Sequence, residues 1–116
     1  DQPIEVIVAE FIREKILRTF RDEVPHSIGV TIEHMEYDKK KDLNRILARI
    51  YVERDSQKGI IIGKGGSAIK RIGQEAREDL EQLLGTRVYL DLMVKVKKNW
   101  RRDATQIRRF GYGEGL

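Results

Sequence analysis

The chain has 116 residues, a usual size for one domain with one core. Lys and Arg total 23 against 19 Asp and Glu, a net charge of +4, and 40% of the residues are hydrophobic. The chain can therefore fold, carries a heavily charged surface and leans modestly towards polyanions; the absence of cysteine excludes a disulfide framework and a thiolate metal site, and no apolar run reaches the roughly 20 residues that span a bilayer.

The chain opens Asp1-Gln2-Pro3, without a methionine and without a secretory signal. Residues 1–3 read as the end of a linker, which points to a piece of something longer. From Ile4 to about Arg21, Ile4, Ile7, Val8, Phe11, Ile12, Leu17 and Phe20 recur at helical spacing. Glu5, Glu10, Arg13, Glu14 and Arg18 fill the other face, which reads as solvated. Pro25 ends the region. Ser27 to Tyr37 alternates, with Ile28, Val30 and Ile32 on one face, and predicts a strand. Asp38-Lys39-Lys40-Lys41-Asp42 is a charged turn whose lysines read as a solvated tip. Arg45 to Arg54 alternates again: Ile46, Ala48, Ile50 and Val52 share one face, and Arg45, Leu47, Arg49 and Tyr51 the other. The two strands predict an antiparallel hairpin.

Asp55-Ser56-Gln57-Lys58 breaks the strand and suits the start of a short helix running to Ile62. Ile60, Ile61 and Ile62 suit a strand equally well by propensity, so both readings stand here. After Gly63-Lys64-Gly65-Gly66, the spacing of Ile69, Ile72, Ala76, Leu80 and Leu83 predicts a helix from Ser67 to Leu84, closed by Gly85. Arg71 with Glu75 and Arg77 with Glu81 stand four residues apart. Thr86 to Lys97 is the cleanest strand, and after a helical crossover it suits parallel pairing in the same sheet. Lys98-Asn99-Trp100-Arg101-Arg102 follows, Asp103 to Phe110 suits one short helix, and Gly111, Gly113 and Gly115 mark a loose tail. Residues 98–116 thus read as a basic C-terminal extension.

The glycines at 63, 65 and 66 let a backbone come close to a partner. The helix starting at Ser67 adds unpaired N–H groups and the positive end of a dipole. Both suit a phosphate. A Walker loop needs four residues between its first glycine and Gly-Lys-Ser/Thr. From Gly59 the spacing is one residue short, and Gly65 stands where the magnesium-binding hydroxyl belongs. Gly63-Lys64-Gly65-Gly66-Ser67-Ala68 fits the dinucleotide fingerprint Gly-x-Gly-x-x-Ala, but no strand directly precedes it and one crossover unit is too little for a dinucleotide fold.

Ile62-Gly63-Lys64-Gly65-Gly66-Ser67-Ala68-Ile69 has the form Ile-Gly-x-x-Gly-x-x-Ile, between two helices and ahead of a strand. This resembles the backbone clamp of KH domains, which holds about four nucleotides. A plain helical corner would need fewer glycines and no central lysine. The order of elements resembles the type II arrangement: an α+β fold, α-β-β-α-α-β, whose three-stranded mixed sheet is covered on one face by helices, plus a short C-terminal helix. Residues 1–116 then form a single RNA-binding domain.

Glu10-Phe11-Ile12-Arg13-Glu14-Lys15, Glu23-Val24-Pro25-His26-Ser27, Ile60-Ile61-Ile62-Gly63-Lys64-Gly65-Gly66, the run Val88 to Trp100 and Phe110-Gly111-Tyr112 resemble, in order, the C-terminal KH domain of the Era family of bacterial ribosome-assembly GTPases. Met93 stands where that family has tryptophan. The resemblance implies binding of single-stranded RNA at the 3′ end of 16S rRNA in the small ribosomal subunit. It further implies an N-terminal GTPase domain that holds GTP and magnesium in the parent chain, and a cytoplasmic location that leaves a peripheral membrane contact open. None of the GTPase motifs is present, so these residues should hydrolyse nothing and hold no cofactor; DNA is not an expected partner.

Gly63, Gly65 and Gly66 should form the clamp, with Lys64 aimed at a phosphate and Ser67 opening the helix behind it. Lys70 and Arg71 suit further phosphates, although a solvated face explains Arg71 as well if it pairs with Glu75. Ile61 and Ile62, with Ile60, divide between core and an apolar floor for bases. Arg45 and Arg49 flank the groove if the second strand is its outer wall. Lys97, Lys98, Arg101 and Arg102, with Lys95, Arg108 and Arg109, suit a second RNA surface, which the family resemblance supports; a solubilising face is the plainer alternative. Trp100 and Phe110 suit packing of the terminal helix onto the body. His26 and His34 have no neighbour at ligand spacing, and no carboxylate pair is isolated for acid–base work. Two other readings of the chain are a protein-docking domain and a KH domain from a ribosomal protein or transcription factor.

Overall fold

The computed structural model describes residues 3–25 and 27–100. Helix α1 spans Ile4–Phe20 and buries Val8, Ala9, Ile12, Ile16 and Phe20. The buried stripe is rotated relative to the apolar residues counted from the sequence: Ile16 enters the core, while Ile4 and Phe11 stay exposed. A single 3₁₀ turn, Arg21–Glu23, follows. Val24 is then extended, as the residue before a proline must be.

Strands β1 (Gly29–Asp38) and β2 (Leu43–Val52) form the antiparallel hairpin. The pairing slips between Ile32 and His34, a bulge that the alternation does not reveal. Beyond it the inward position falls on Met35, which packs on the core together with Ile32. The Asp38 carboxylate accepts the N–H groups of Lys40 and Lys41 and fixes the turn. Helix α2 spans Asp55–Ile62, so the triple isoleucine is helical despite its β-branching. Tertiary contact overrides propensity: Ile61 is fully buried. The helix start is held by Gln57, whose Oε1 accepts the N–H of Glu53 and Arg54.

A one-turn 3₁₀ segment, Lys64–Gly66, leads into α3, Ser67–Leu84. It buries Ile72, Ala76 and Leu80, and Gly85 ends it in the left-handed conformation. Strand β3, Arg87–Val96, pairs in parallel with β2, so the sheet order is β1-β2-β3. The helices cover one face. Between them and the sheet lies the core of Ile12, Ile16, Ile46, Ile50, Ile61, Ile72, Leu80 and smaller neighbours. The mixed three-stranded α+β architecture is the one expected.

Trp100 packs on the opposite, open face. It is 4% exposed and stacks on Tyr51 with ring centroids 4.5 Å apart and planes 13° from parallel. The space it occupies exists because residue 29 is glycine: a Cβ there would lie 2.0 Å from Cζ2 of the indole. Arg101, Arg102, Arg108, Arg109, Phe110, the short terminal helix and His26 lie outside the described residues.

Candidate nucleic-acid interface

The clamp is built by its backbone. Gly63 ends α2 at φ 74°, ψ 174°, a conformation essentially confined to glycine. Its N–H bonds to the Gly59 carbonyl at 2.8 Å and its carbonyl accepts the Gly66 N–H at 3.1 Å. A Cβ on Gly63 would stand 2.6 Å from Cβ of Ala68 and 2.9 Å from its nitrogen. The loop is therefore folded tightly onto the first turn of α3. Gly65 (φ 62°) and Gly66 (φ 79°) are also left-handed, with open space where a side chain would be. Lys64, Gly65 and Ser67 are exposed. No side chain caps α3; the N–H of Ser67, its first residue, donates to the Lys64 carbonyl.

Lys70 and Arg71 lie on the exposed surface of α3 behind the clamp. The expected Arg71–Glu75 pair does not form. Glu75 instead meets Lys15 of α1 at 3.4 Å, and the same lysine meets Asp79 at 3.5 Å. Packing α1 against α3 offers Glu75 a cation held by the fold, and Arg71 is left facing solvent. The Arg77–Glu81 pair does form, at 3.4 Å. Ile61 belongs wholly to the core and cannot floor a groove, whereas Ile60 and Ile62 are half-buried.

Arg45 and Arg49 do not flank the clamp. Strand β2 is the central strand, and both arginines point to the face away from the helices. Arg49 bonds the Tyr51 hydroxyl at 3.3 Å and pairs with Glu33 at 3.0 Å, and these partners hold its guanidinium even further above its ordinary pKa. Arg45 meets Asp38 at 3.4 Å. The open face thus gathers Arg49, Tyr51, Trp100 and Lys97, whose Nζ lies 5.7 Å from the indole centre. The predicted site residues accordingly fall on two separate surfaces. Gly63 to Arg71 share the helical side, while Arg49, Lys97 and Lys98 lie at the sheet.

The wall beside the clamp is β3, the outer strand. Between it and α3 runs a groove of about 440 Å³ lined by Ile69, Gly73, Gln74, Arg77 and residues 89–92. The N–H groups of Arg87 and Lys97 point towards β2, bonding the carbonyls of Asp42 and Val52, whereas the Val88 N–H points outward to Glu81 at 2.9 Å. In a parallel ladder this alternation places the N–H and C=O of Leu90 and Leu92 at the free edge, facing the groove. Reading the sequence for charge missed this wall. Its one visible signal was Gly73, a glycine inside a helix and four residues from Ile69. Among the described residues no cluster of His, Asp or Glu is arranged to hold a metal, and no helix is long and apolar enough to cross a membrane.

A Gly-x-x-Gly clamp between two helices, beside the outer strand of an α-β-β-α-α-β sheet, defines a type II KH domain. The KH domain family model matches residues 23–101, and the chain belongs to that family. Its similarity to one group of these proteins is closer still. It is 53% identical to GTPase Era of Heliobacterium modesticaldum over 116 residues, and 53% identical to GTPase Era of Mycobacterium tuberculosis over 113. In both cases the chain spans 38% of the relative's length. Aquifex aeolicus Era bound to GDP and AlF4 superposes with a TM-score of 0.85 at 43% identity, over 97% of this chain and 38% of that one. A structure of Era with MgGDPNP and nucleotides 1506–1542 of 16S ribosomal RNA gives the same score and identity, over 97% of this chain and 37% of that one.

Proposed function

We propose that this chain binds single-stranded RNA at the 3′ end of 16S rRNA, as the KH part of an Era-like GTPase acting in small-subunit assembly. The observation that carries the reading is the tight Gly63–Gly66 turn with Lys64 exposed beside an uncapped helix start. Backbone N–H groups and Lys64 take phosphates, with Lys70 and Arg71 continuing the track. Bases then fall towards the β3 edge, where the main-chain groups of Leu90 and Leu92 meet them. Lys97 and Lys98 suit a second stretch of the same strand, continued by Arg101 and Arg102. The clamp holds the backbone and carries no sequence code of its own. Catalysis, GTP and magnesium are assigned to the remainder of the parent protein, and these residues are assigned none. A cytoplasmic location, with at most a peripheral membrane contact, follows from a ribosomal partner.

Titration of fluorescein-labelled RNA carrying nucleotides 1506–1542 tests the reading. The three clamp-side contacts of Lys64, Lys70 and Arg71 alone should make log K fall against log salt with a slope of about −2, because each contact on a single strand adds about 0.7, and engagement of Lys97, Lys98, Arg101 and Arg102 should steepen it to about −5. Lys64→Asp with Gly65→Asp should abolish binding while the fold stays intact, since aspartate tolerates the left-handed conformation better than most residues. Unchanged affinity in that folded variant refutes the clamp. A second reading, protein docking, rests on a groove of about 720 Å³ between α1 and α3, with Ile7, Phe11 and Leu83 in its lining. Absence of RNA binding, or RNA binding with a flat salt response, would favour it.

A further inference from the structure

We infer that Gly73 is a contact surface for a nucleobase, and that its missing side chain sets how closely one base of the bound strand can seat. This rests on the RNA-binding reading and specifies where that site touches a base. Glycine inside a helix is unfavourable relative to alanine, so a glycine in the middle of α3 calls for a local reason. Packing supplies none. A Cβ at Gly73 would meet a single atom, Cδ1 of Leu92 at 3.8 Å, which is ordinary van der Waals contact. Its backbone is ordinary helix and needs no positive φ. The fold would accept alanine here and gain from it.

What the bare Cα does instead is widen the groove between α3 and β3. Gly73 lies one turn beyond Ile69 and one turn before Arg77, so it forms the middle of the helical wall. Arg77 is held by Glu81 and closes one end. At the other end Ile69 and Lys70 continue directly into the clamp. Opposite Gly73 stand Leu90 and Leu92, with their free main-chain edge. A flat ring lying against the helix backbone at this level has apolar contact on its face and hydrogen-bonding groups at its edge. That is the chemistry of a base on a strand whose phosphates sit one step away at Gly63–Gly66. A methyl group at residue 73 would stand in the plane that the ring occupies.

The test uses two readouts that should move in opposite directions. Gly73→Ala should raise the thermal midpoint of the chain by a few degrees. It should weaken binding of RNA 1506–1542 about tenfold, and Gly73→Val should weaken it further. An abasic nucleotide scanned along the RNA should include one position at which wild type and Gly73→Ala bind equally, because the base that collides with the methyl is gone. If Gly73→Ala binds as tightly as wild type while Lys64→Asp does not, the inference is overturned and the RNA reading stands. If Gly73→Ala weakens binding but no abasic position removes the difference, the effect is not contact with a base and the inference also fails. If wild type itself does not bind the RNA, it is the underlying function that fails.

Discussion

Gly63→Ala is the sharpest test of the clamp geometry, because two separate costs meet at one atom. The first is conformational. At φ 74°, ψ 174° an alanine is strained by about 1–3 kcal/mol. The second is steric. The new Cβ would lie 2.6 Å from Cβ of Ala68 and 2.9 Å from its backbone nitrogen, so α3 itself must shift. Overpacking of this kind costs about 1–3 kcal/mol. Together they reach about 2–6 kcal/mol, against a total stability of about 5–15 kcal/mol for a domain. Gly65→Ala is the matched control. It is left-handed at φ 62°, ψ 21° but faces open space, and so carries only the conformational cost of about 1–2 kcal/mol. The steric share is isolated by adding Ala68→Gly, which removes one of the two colliding carbons. Urea unfolding of the four variants should show Gly63→Ala well below Gly65→Ala. The double variant should be more stable than the sum of its singles by at least about 1 kcal/mol, as expected for residues in contact. Equal losses for Gly63→Ala and Gly65→Ala, or strict additivity with Ala68→Gly, would refute the account of the loop as folded onto α3.

Two further outcomes follow from other parts of the molecule. Gly29→Ala should expel Trp100 from its stack on Tyr51, at a cost bounded by the roughly 3–5 kcal/mol of deleting a buried tryptophan. The chain has one tryptophan, so its emission should shift to the red, and an unshifted spectrum would refute the packing. At the hairpin tip, the N–H of Lys41 first, then Arg45 and the N–H of Lys40, hold the Asp38 carboxyl below its ordinary pKa. A group depressed in the folded state stabilises above its unfolded pKa and loses that contribution as pH falls through the folded one. The tip should therefore loosen only below about pH 4. NMR titration should place the Asp38 midpoint below the ordinary carboxylate value and show the Lys41 amide moving with it, whereas a midpoint at or above that value would refute the turn.

The order of elements was legible because each long segment carries an undisturbed period. The triple isoleucine was not, because propensity and helical context disagree there and packing of Ile61 decides. The bulge after Ile32 was invisible for a different reason: one extra residue leaves local alternation looking regular on either side of it. At the site, the clamp glycines were legible since their chemistry is local. The ion pairs were not, because pairing depends on which helix lies alongside. Arg71–Glu75 is a sound local expectation that loses to Lys15, sixty residues away in sequence and adjacent in space. Placing Arg49 at the groove failed on strand order, which periodicity does not encode.

The distribution of charge along α3 ties these points together. Helix α1 has Glu5 in its first turn and Arg18 in its last, and α2 begins with Asp55, as the macrodipole favours. Helix α3 has no acid in its first turn and no base in its last. Lys70 and Arg71 sit instead towards the positive end behind Lys64, and Glu75, Glu78, Asp79 and Glu81 occupy the later turns, where Arg77 pairs with Glu81. Each half is placed against the dipole, an arrangement that costs stability on its own. The acidic half is partly neutralised from within by Lys15, which meets Glu75 and Asp79. Among the described residues no acid forms an ion pair with Lys64, Lys70 or Arg71. A net charge of +4 would suit many folds, whereas an uncompensated positive helix start beside a bare backbone turn suits an anion supplied from outside. On the open face, by contrast, Arg45 and Arg49 are already matched by Asp38 and Glu33. The contrast between paired and unpaired cations, more than their number, is what favours the clamp over the open face in the proposed RNA-binding reading.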